Sequence, residues 1–130
     1  MRLDLEEKFI TKYVLKHKRD RNLGFVRNER NRGQFLGTLY HGSHFDERLF
    51  RELQGNHEQQ MLALHKIAES VGLATSCYFI SVDPQLDGKE IPAQEAIKHV
   101  LNSGGTVLIF GDLNAVYYGG EPPNTRYISV

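Results

Sequence analysis

The sequence contains one cysteine, no tryptophan and no excess of charge of either sign. Because Cys77 has no second cysteine to pair with, an internal disulfide framework is excluded, and nothing favours an oxidising compartment. Lys and Arg together number 16, as do Asp and Glu, so the formal net charge is zero. Any recognition of a partner by charge must therefore come from local patterning rather than from the overall balance.

Long apolar runs are also absent. No segment approaches the ~20 consecutive apolar residues that a membrane-spanning helix needs. Residues 1–7 (MRLDLEE) are acidic where a secretory signal would be basic and then apolar. These absences predict a cytoplasmic protein that has no membrane partner.

The composition is that of an ordinary globular protein, with 40% hydrophobic and 25% charged residues. A length of 130 residues favours one domain over residues 1–130, which buries roughly two-thirds of its surface without a metal or disulfide. No internal repeat or linker divides the chain, and no strong catalytic, metal or nucleotide motif occurs in it. We therefore expect no cofactor and no metal site, and the sequence leaves open whether the protein is an enzyme.

The first half of the chain is predicted to be helical, because apolar residues recur at the spacing of three and four that lines one helix face. Gly24 is a plausible stop for the first helix. Ser43 with Asp46 three residues later resembles a capping box that opens a short helix. The predicted helices span residues 3–20, 29–41, 43–53 and 56–71.

The second half changes to β-forming residues. The run Ala74–Val82 is apolar on both faces, which suits a central strand. A helix that begins at Pro92 and ends at Gly104 separates it from a second buried strand, Thr106–Phe110, and this arrangement permits a right-handed crossover with parallel pairing. Further strands are predicted over residues 113–118 and 125–130. The prediction is an α+β fold in which three or four N-terminal helices precede a β-α-β-β-β unit that forms a mixed four-stranded sheet.

Charge is distributed unevenly along the chain. Residues 1–54 carry a balance of +4 and residues 55–130 one of −4. Residues 16–32, which we call the basic segment, carry +5 with Asn22, Asn28 and Asn31 interspersed and Gln34 just beyond. The planar guanidinium of Arg fits two phosphate oxygens at once, and Asn reaches phosphates or base edges. The alternative is a solvated face that is neutralised by Asp20, Glu29 and acidic residues of the C-terminal part. The predicted anion-binding residues are Lys16, Arg19, Arg21, Arg27, Arg30 and Arg32.

A second group of candidates follows the basic segment at residues 41–46 (HGSHFD). Imidazole titrates near neutrality, which suits proton transfer, and a His with a carboxylate beside bound phosphate could cleave a phosphodiester. His41, His44 and Asp46 are therefore weak candidates for the catalytic residues of a nuclease, with or without a metal. Their spacing does not match a zinc site, and an incidental role is the alternative.

Two classes of function follow. In the first, the protein binds an anionic polymer, RNA or DNA, through the basic segment. In the second, it is a protein-interaction or regulatory module, or a homodimer, that uses an exposed sheet edge at Thr125–Val130. Tyr117, Tyr118 and Tyr127 would then form an aromatic patch beside that edge.

Overall fold

The computed structural model describes residues 1–121 and 126–130. Its helices are α1 (Leu3–Tyr13), α2 (Arg19–Val26), α3 (Arg32–Thr38), α4 (His57–Val71) and α5 (Ala93–Val100). Its strands are β1 (Phe50–Glu52), β2 (Ser76–Ser81), β3 (Glu90–Pro92), β4 (Thr106–Phe110), β5 (Ala115–Gly119) and β6 (Arg126–Ser129). Short 3-10 turns occur at Lys16–Lys18, Glu29–Asn31 and Glu47–Leu49. The predicted α+β class is confirmed. No helix in this part of the chain is long and apolar enough to cross a membrane.

In the described residues, the sheet has six strands in the order β1-β6-β5-β4-β2-β3, and every neighbouring pair is antiparallel. The predicted mixed four-stranded sheet is therefore wrong in size and in pairing. Strand β3 is the reason: it returns antiparallel along β2 before α5 begins, so β4 enters on the other side of β2 and runs antiparallel to it. No parallel crossover is formed.

Helices cover both faces of the sheet, and strand β2 shows how the faces are divided. Tyr78 and Ile80 pack in one core with residues of α1, α2 and α3. Cys77 and Phe79 pack in the other core with residues of α4 and α5. Because successive side chains of a strand point to opposite faces, a strand between two helical layers must be apolar on both. The predicted central strand is therefore confirmed.

The helix predicted over residues 3–20 is interrupted. Val14 has an extended backbone (φ −81°, ψ 141°) and forms an antiparallel bridge with Phe45. On either side of that bridge, the N–H of Leu15 donates to the carbonyl of His44 and the N–H of Asp46 donates to the carbonyl of Tyr13, both at 2.8 Å. These hydrogen bonds come from a distant segment, so they end α1 where the local sequence carries no stop signal.

Two other predicted helices differ in the structure. The predicted helix over residues 43–53 is wrong, because Asp46 caps the turn Glu47–Leu49 and the chain then enters β1. The predicted helix over residues 29–41 shortens to α3, which the turn Glu29–Asn31 precedes. Gly24, the predicted stop, lies inside α2.

Helix α4 confirms the prediction over residues 56–71. Asn56 accepts a hydrogen bond from the backbone N–H of Gln59 at 2.9 Å, and the Gln59 side chain accepts one from the N–H of Asn56 at 2.8 Å. This reciprocal capping box fixes the first turn of the helix. Gly72 ends the helix with φ +109°, where a side chain would be strained.

The exposed edge and the tyrosine patch differ from their predictions. Strand β6 pairs with β1 on one side and β5 on the other, so it is not an edge of the described sheet. Tyr117 is buried in the α4–α5 core, whereas Tyr118 is buried on the opposite face, so the two cannot share a surface patch. Thr125, at the start of the predicted strand, lies outside the described residues.

Candidate anion-binding site

The basic segment separates into residues held by carboxylates and residues that carry no such partner. Arg32 is buried and lies between two acids: its Nη1 donates to Glu6, while its Nη2 and Nε donate to Asp87 at 2.7 and 3.3 Å. Glu6 also accepts from the hydroxyl of Tyr78. Arg32 is therefore an internal structural residue that an external anion does not reach, and we remove it from the predicted set.

Arg27 is also paired, but at the surface. Its Nη2 lies 3.1 Å from a carboxylate oxygen of Glu7, and this hydrogen bond raises the pKa of Arg27 above its ordinary value. An exposed pair of this kind contributes only about 0–1 kcal/mol to stability. Its charge is nevertheless balanced locally, so Arg27 adds little attraction for an outside anion.

The other four predicted residues have no ion pair with any residue that the structure describes. They are Lys16, Arg19, Arg21 and Arg30. Arg19 uses its Nε to donate to the carbonyl of Val14 at 2.9 Å, which anchors the side chain at the start of α2. Lys18, which the sequence places in the same segment, joins this set.

A cavity of about 310 Å³ lies between α2 and α3. It is lined by Lys18, Arg21, Asn22, Phe25, Gln34, Thr38 and His44. Residues 21, 22 and 25 lie on one side of α2, and residues 34 and 38 are one helical turn apart on α3. The loop that bridges to Val14 brings His44 to the same place.

Two buried polar atoms of the cavity residues have no hydrogen-bond partner among the described residues: Oδ1 of Asn22 and Nδ1 of His44. Asn22 is only 1% exposed, and its Nδ2 donates to the carbonyl of Lys18 at 2.9 Å. This bond fixes the amide, so the partnerless atom is the acceptor oxygen. Both atoms are shielded from solvent, so they lie behind the surface of the cavity rather than open to it.

The cavity is electropositive, because Lys18 and Arg21 line it. Burial lowers the pKa of His44 below its ordinary value, and the nearby charges of Lys18, Arg21 and His41 lower it further. These charges disfavour a proton on the imidazole because they already supply positive charge at this point. The same field favours a bound anion.

The predicted catalytic residues are not gathered at one point. His41 lines a separate cavity of about 510 Å³, together with Glu47, Phe50 and other residues of that side of the molecule. Asp46 accepts hydrogen bonds from the guanidinium of Arg48 at 2.9 and 3.0 Å, which lower the pKa of the carboxyl. The described residues contain no group of three His, Cys, Asp or Glu that could hold a metal. The catalytic role of His41, His44 and Asp46 stays a prediction.

Cys77 adds no reactive group. Its side chain is buried in the α4–α5 core, and burial raises the pKa of the thiol to about 11. The thiol therefore stays protonated near neutral pH, and a protonated thiol is a poor nucleophile.

Sequence reasoning missed the polar residues that complete the cavity. The sequence presents Asn22 and Gln34 only as polar residues among and beside the cations, and it does not single out Phe25 or Thr38. Residues 21, 22 and 25 lie on one side of α2. The predicted helix over residues 3–20 ends before them, so the prediction did not place them side by side. Comparison of the chain with protein-family models, with curated proteins and with solved structures finds no match.

Proposed function

We propose that the protein binds nucleic acid through the surface around the α2–α3 cavity. The observation that carries this proposal is the convergence of two cations, Lys18 and Arg21, on one cavity between two helices. Lys16 and Arg19 lie within two residues of Lys18 in the chain and have no ion pair with a described residue, so we include both in the proposed surface. This cationic surface consists of Lys16, Lys18, Arg19 and Arg21.

The chemistry of these side chains suits phosphate. An Arg guanidinium donates two parallel hydrogen bonds to phosphate oxygens, and a Lys ammonium contributes a mobile point charge. Such contacts fix a nucleic-acid backbone without reading its sequence. The surface is smaller than the basic segment suggested, because Arg32 is internal and Arg27 is balanced by Glu7.

The protein-interaction alternative loses the features from which it was predicted. It depended on β6 as an exposed edge and on a shared tyrosine surface. Strand β6 lies between two other strands, and Tyr117 and Tyr118 are buried on opposite faces of the sheet. We therefore propose nucleic-acid binding and not a protein-interaction function.

Fluorescence anisotropy with a labelled single-stranded oligonucleotide at low salt tests the proposal. We expect the double variant Lys18→Gln/Arg21→Gln to bind at least about tenfold more weakly than the unaltered protein, because it loses two charge-assisted phosphate contacts. The matched control is Lys66→Gln/Lys98→Gln, which removes two exposed cations of α4 and α5 on the other face of the sheet.

The control should bind within about twofold of the unaltered protein if the contacts are local rather than a response to net charge. An equal loss in both double variants would show non-specific attraction, and no loss in either would remove the α2–α3 surface from the binding site.

A further inference from the structure

We infer that the exposed side of α4 is an interface at which two copies of the chain pair antiparallel, as a symmetric homodimer. The inference goes beyond the proposed function, because the ligand of this surface is a second copy of the chain. It does not use the sheet edge from which a homodimer was predicted. It is carried by three residues of α4, namely Glu58, Leu62 and Lys66, which we call the α4 stripe.

The α4 stripe consists of residues that are four apart, so they follow one another along the same side of the helix. All three are exposed, and Leu62 in the middle is 56% exposed. A groove of about 490 Å³ between α4 and α5 adjoins Leu62, and Met61 and Ile97 contribute to its apolar lining. A single exposed leucine is ordinary on a protein surface, but this one lies beside further apolar surface. The centre of the stripe is therefore a place that an apolar side chain of a partner can cover.

The two ends of the α4 stripe carry opposite charges that the chain itself does not use. Glu58 and Lys66 have no ion pair with a described residue, whereas the neighbouring His65 and Glu69 are paired with each other at 3.1 Å. Each of the two charged residues lies about 6 Å from Leu62 along the helix axis. The stripe therefore presents an acid, an apolar residue and a base at equal intervals.

A stripe of this kind is complementary to its own copy in the reverse direction. In a two-fold symmetric dimer, a residue on the axis meets its own copy, and residues equally far from it on either side meet each other. With Leu62 on the axis of an antiparallel pair, Glu58 of each copy faces Lys66 of the other, so one apolar contact and two ion pairs form together. A parallel pair would place like charges opposite each other. Charge complementarity therefore selects a second copy in the antiparallel orientation.

The cationic surface stays open in this dimer. Helix α4 packs on one face of the sheet and α2 belongs to the layer on the other face, so the α2 layers lie on the outer sides of the dimer. One helix of each copy makes most of the contact, which is less than the roughly 1,600 Å² of a standard interface, so the dimer should dissociate on dilution. A short oligonucleotide that occupies one protomer should bind the monomer and the dimer with equal affinity.

Sedimentation equilibrium of the full chain tests the interface. We expect the unaltered protein to approach twice its monomer mass as its concentration rises from about 10 µM to about 1 mM. Leu62→Glu should weaken dimerisation at least about tenfold, because it places two carboxylates together on the two-fold axis. The matched control is Leu3→Glu, since Leu3 is an exposed leucine of α1, on the other face of the sheet, and this variant should dimerise like the unaltered protein.

Charge reversal tests the antiparallel pairing itself. Glu58→Lys alone and Lys66→Glu alone should each dimerise at least about tenfold more weakly than the unaltered protein, because each variant sets like charges against each other. An equimolar mixture of the two variants should dimerise about as well as the unaltered protein, because every charge then meets its opposite in the other copy. Both positions are exposed, so neither substitution should impair folding.

A protein that stays monomeric throughout this concentration range would overturn the inference, and so would a dimer that survives Leu62→Glu. Single reversals that weaken the dimer without rescue in the mixture would overturn it as well, because the antiparallel arrangement requires the rescue. None of these results bears on the proposed function, which is measured as oligonucleotide binding to one protomer.

Discussion

Replacing Arg32 with Ala is expected to lower the free energy of unfolding by about 3–5 kcal/mol, since removing one partner of a buried ion pair leaves an uncompensated charge. Glu6 is 1% exposed and loses its cationic partner in this variant. Asp87 loses two hydrogen bonds from the guanidinium and keeps the one that it accepts from the N–H of Ser81 at 3.0 Å. The measurement is urea unfolding at neutral pH.

Arg30→Ala is the matched control for that experiment. Arg30 belongs to the same segment, is exposed and has no ion pair with a described residue, so its replacement should change stability by no more than about 0.5 kcal/mol. If Arg32→Ala fails to fold, Arg32→Lys keeps a charge without the fork that reaches both acids, and an intermediate loss is expected. Equal effects at positions 30 and 32 would contradict an internal role for Arg32.

Binding of a single-stranded oligonucleotide is expected to weaken about 50-fold when the salt concentration rises from about 50 mM to about 200 mM. Each phosphate that a cation neutralises releases counterions, and for single strands the slope of log affinity against log salt is about −0.7 per phosphate. The cationic surface contains four such side chains, Lys16, Lys18, Arg19 and Arg21. Anisotropy titrations at several salt concentrations give the slope directly.

The same titrations on Lys18→Gln/Arg21→Gln should yield about half that slope, because two of the four contacts are gone. A slope near zero in the unaltered protein would mean that binding does not depend on phosphate. An unchanged slope in the variant would mean that other cations make the contacts.

Sequence patterns predicted the elements whose signals are local. Helix α4 has a capping box at its start and Gly72 at its end, and the central strand is apolar on both faces, so neighbouring residues determine each of them. The division of α1 from α2 could not be predicted in this way. It depends on hydrogen bonds between Tyr13 or Leu15 and a loop about thirty residues further along the chain.

The sheet was underestimated because two of its strands are short. Strands β1 and β3 each have three residues, too few for an alternating pattern to be recognised. Strand β3 ends at Pro92, where the sequence predicts that a helix begins, yet it decides that β4 pairs antiparallel with β2. Antiparallel pairing follows from this long-range register and not from the composition of the strands.

The candidate site was predicted in part. The clustering of cations in residues 16–32 is a property of the sequence, but their partners are not. Arg32 meets Glu6 and Asp87, which are 26 and 55 residues away in the chain, and this contact converts a predicted ligand residue into a structural one. The cavity likewise requires α2, α3 and the His44 loop to meet, so its polar lining could not be recognised before the fold was known.

The central claim is that an anionic strand binds beside His44, and the titration of that imidazole tests it most directly. A neighbouring phosphate stabilises the imidazolium, so the pKa of His44, depressed in the unbound protein, should rise when the oligonucleotide binds. Binding should correspondingly tighten as the pH falls through this range. NMR titration of the histidine ring protons should show this rise for His44 in the presence of the oligonucleotide and not in its absence. An oligonucleotide that binds yet leaves the His44 pKa unchanged would contradict the account.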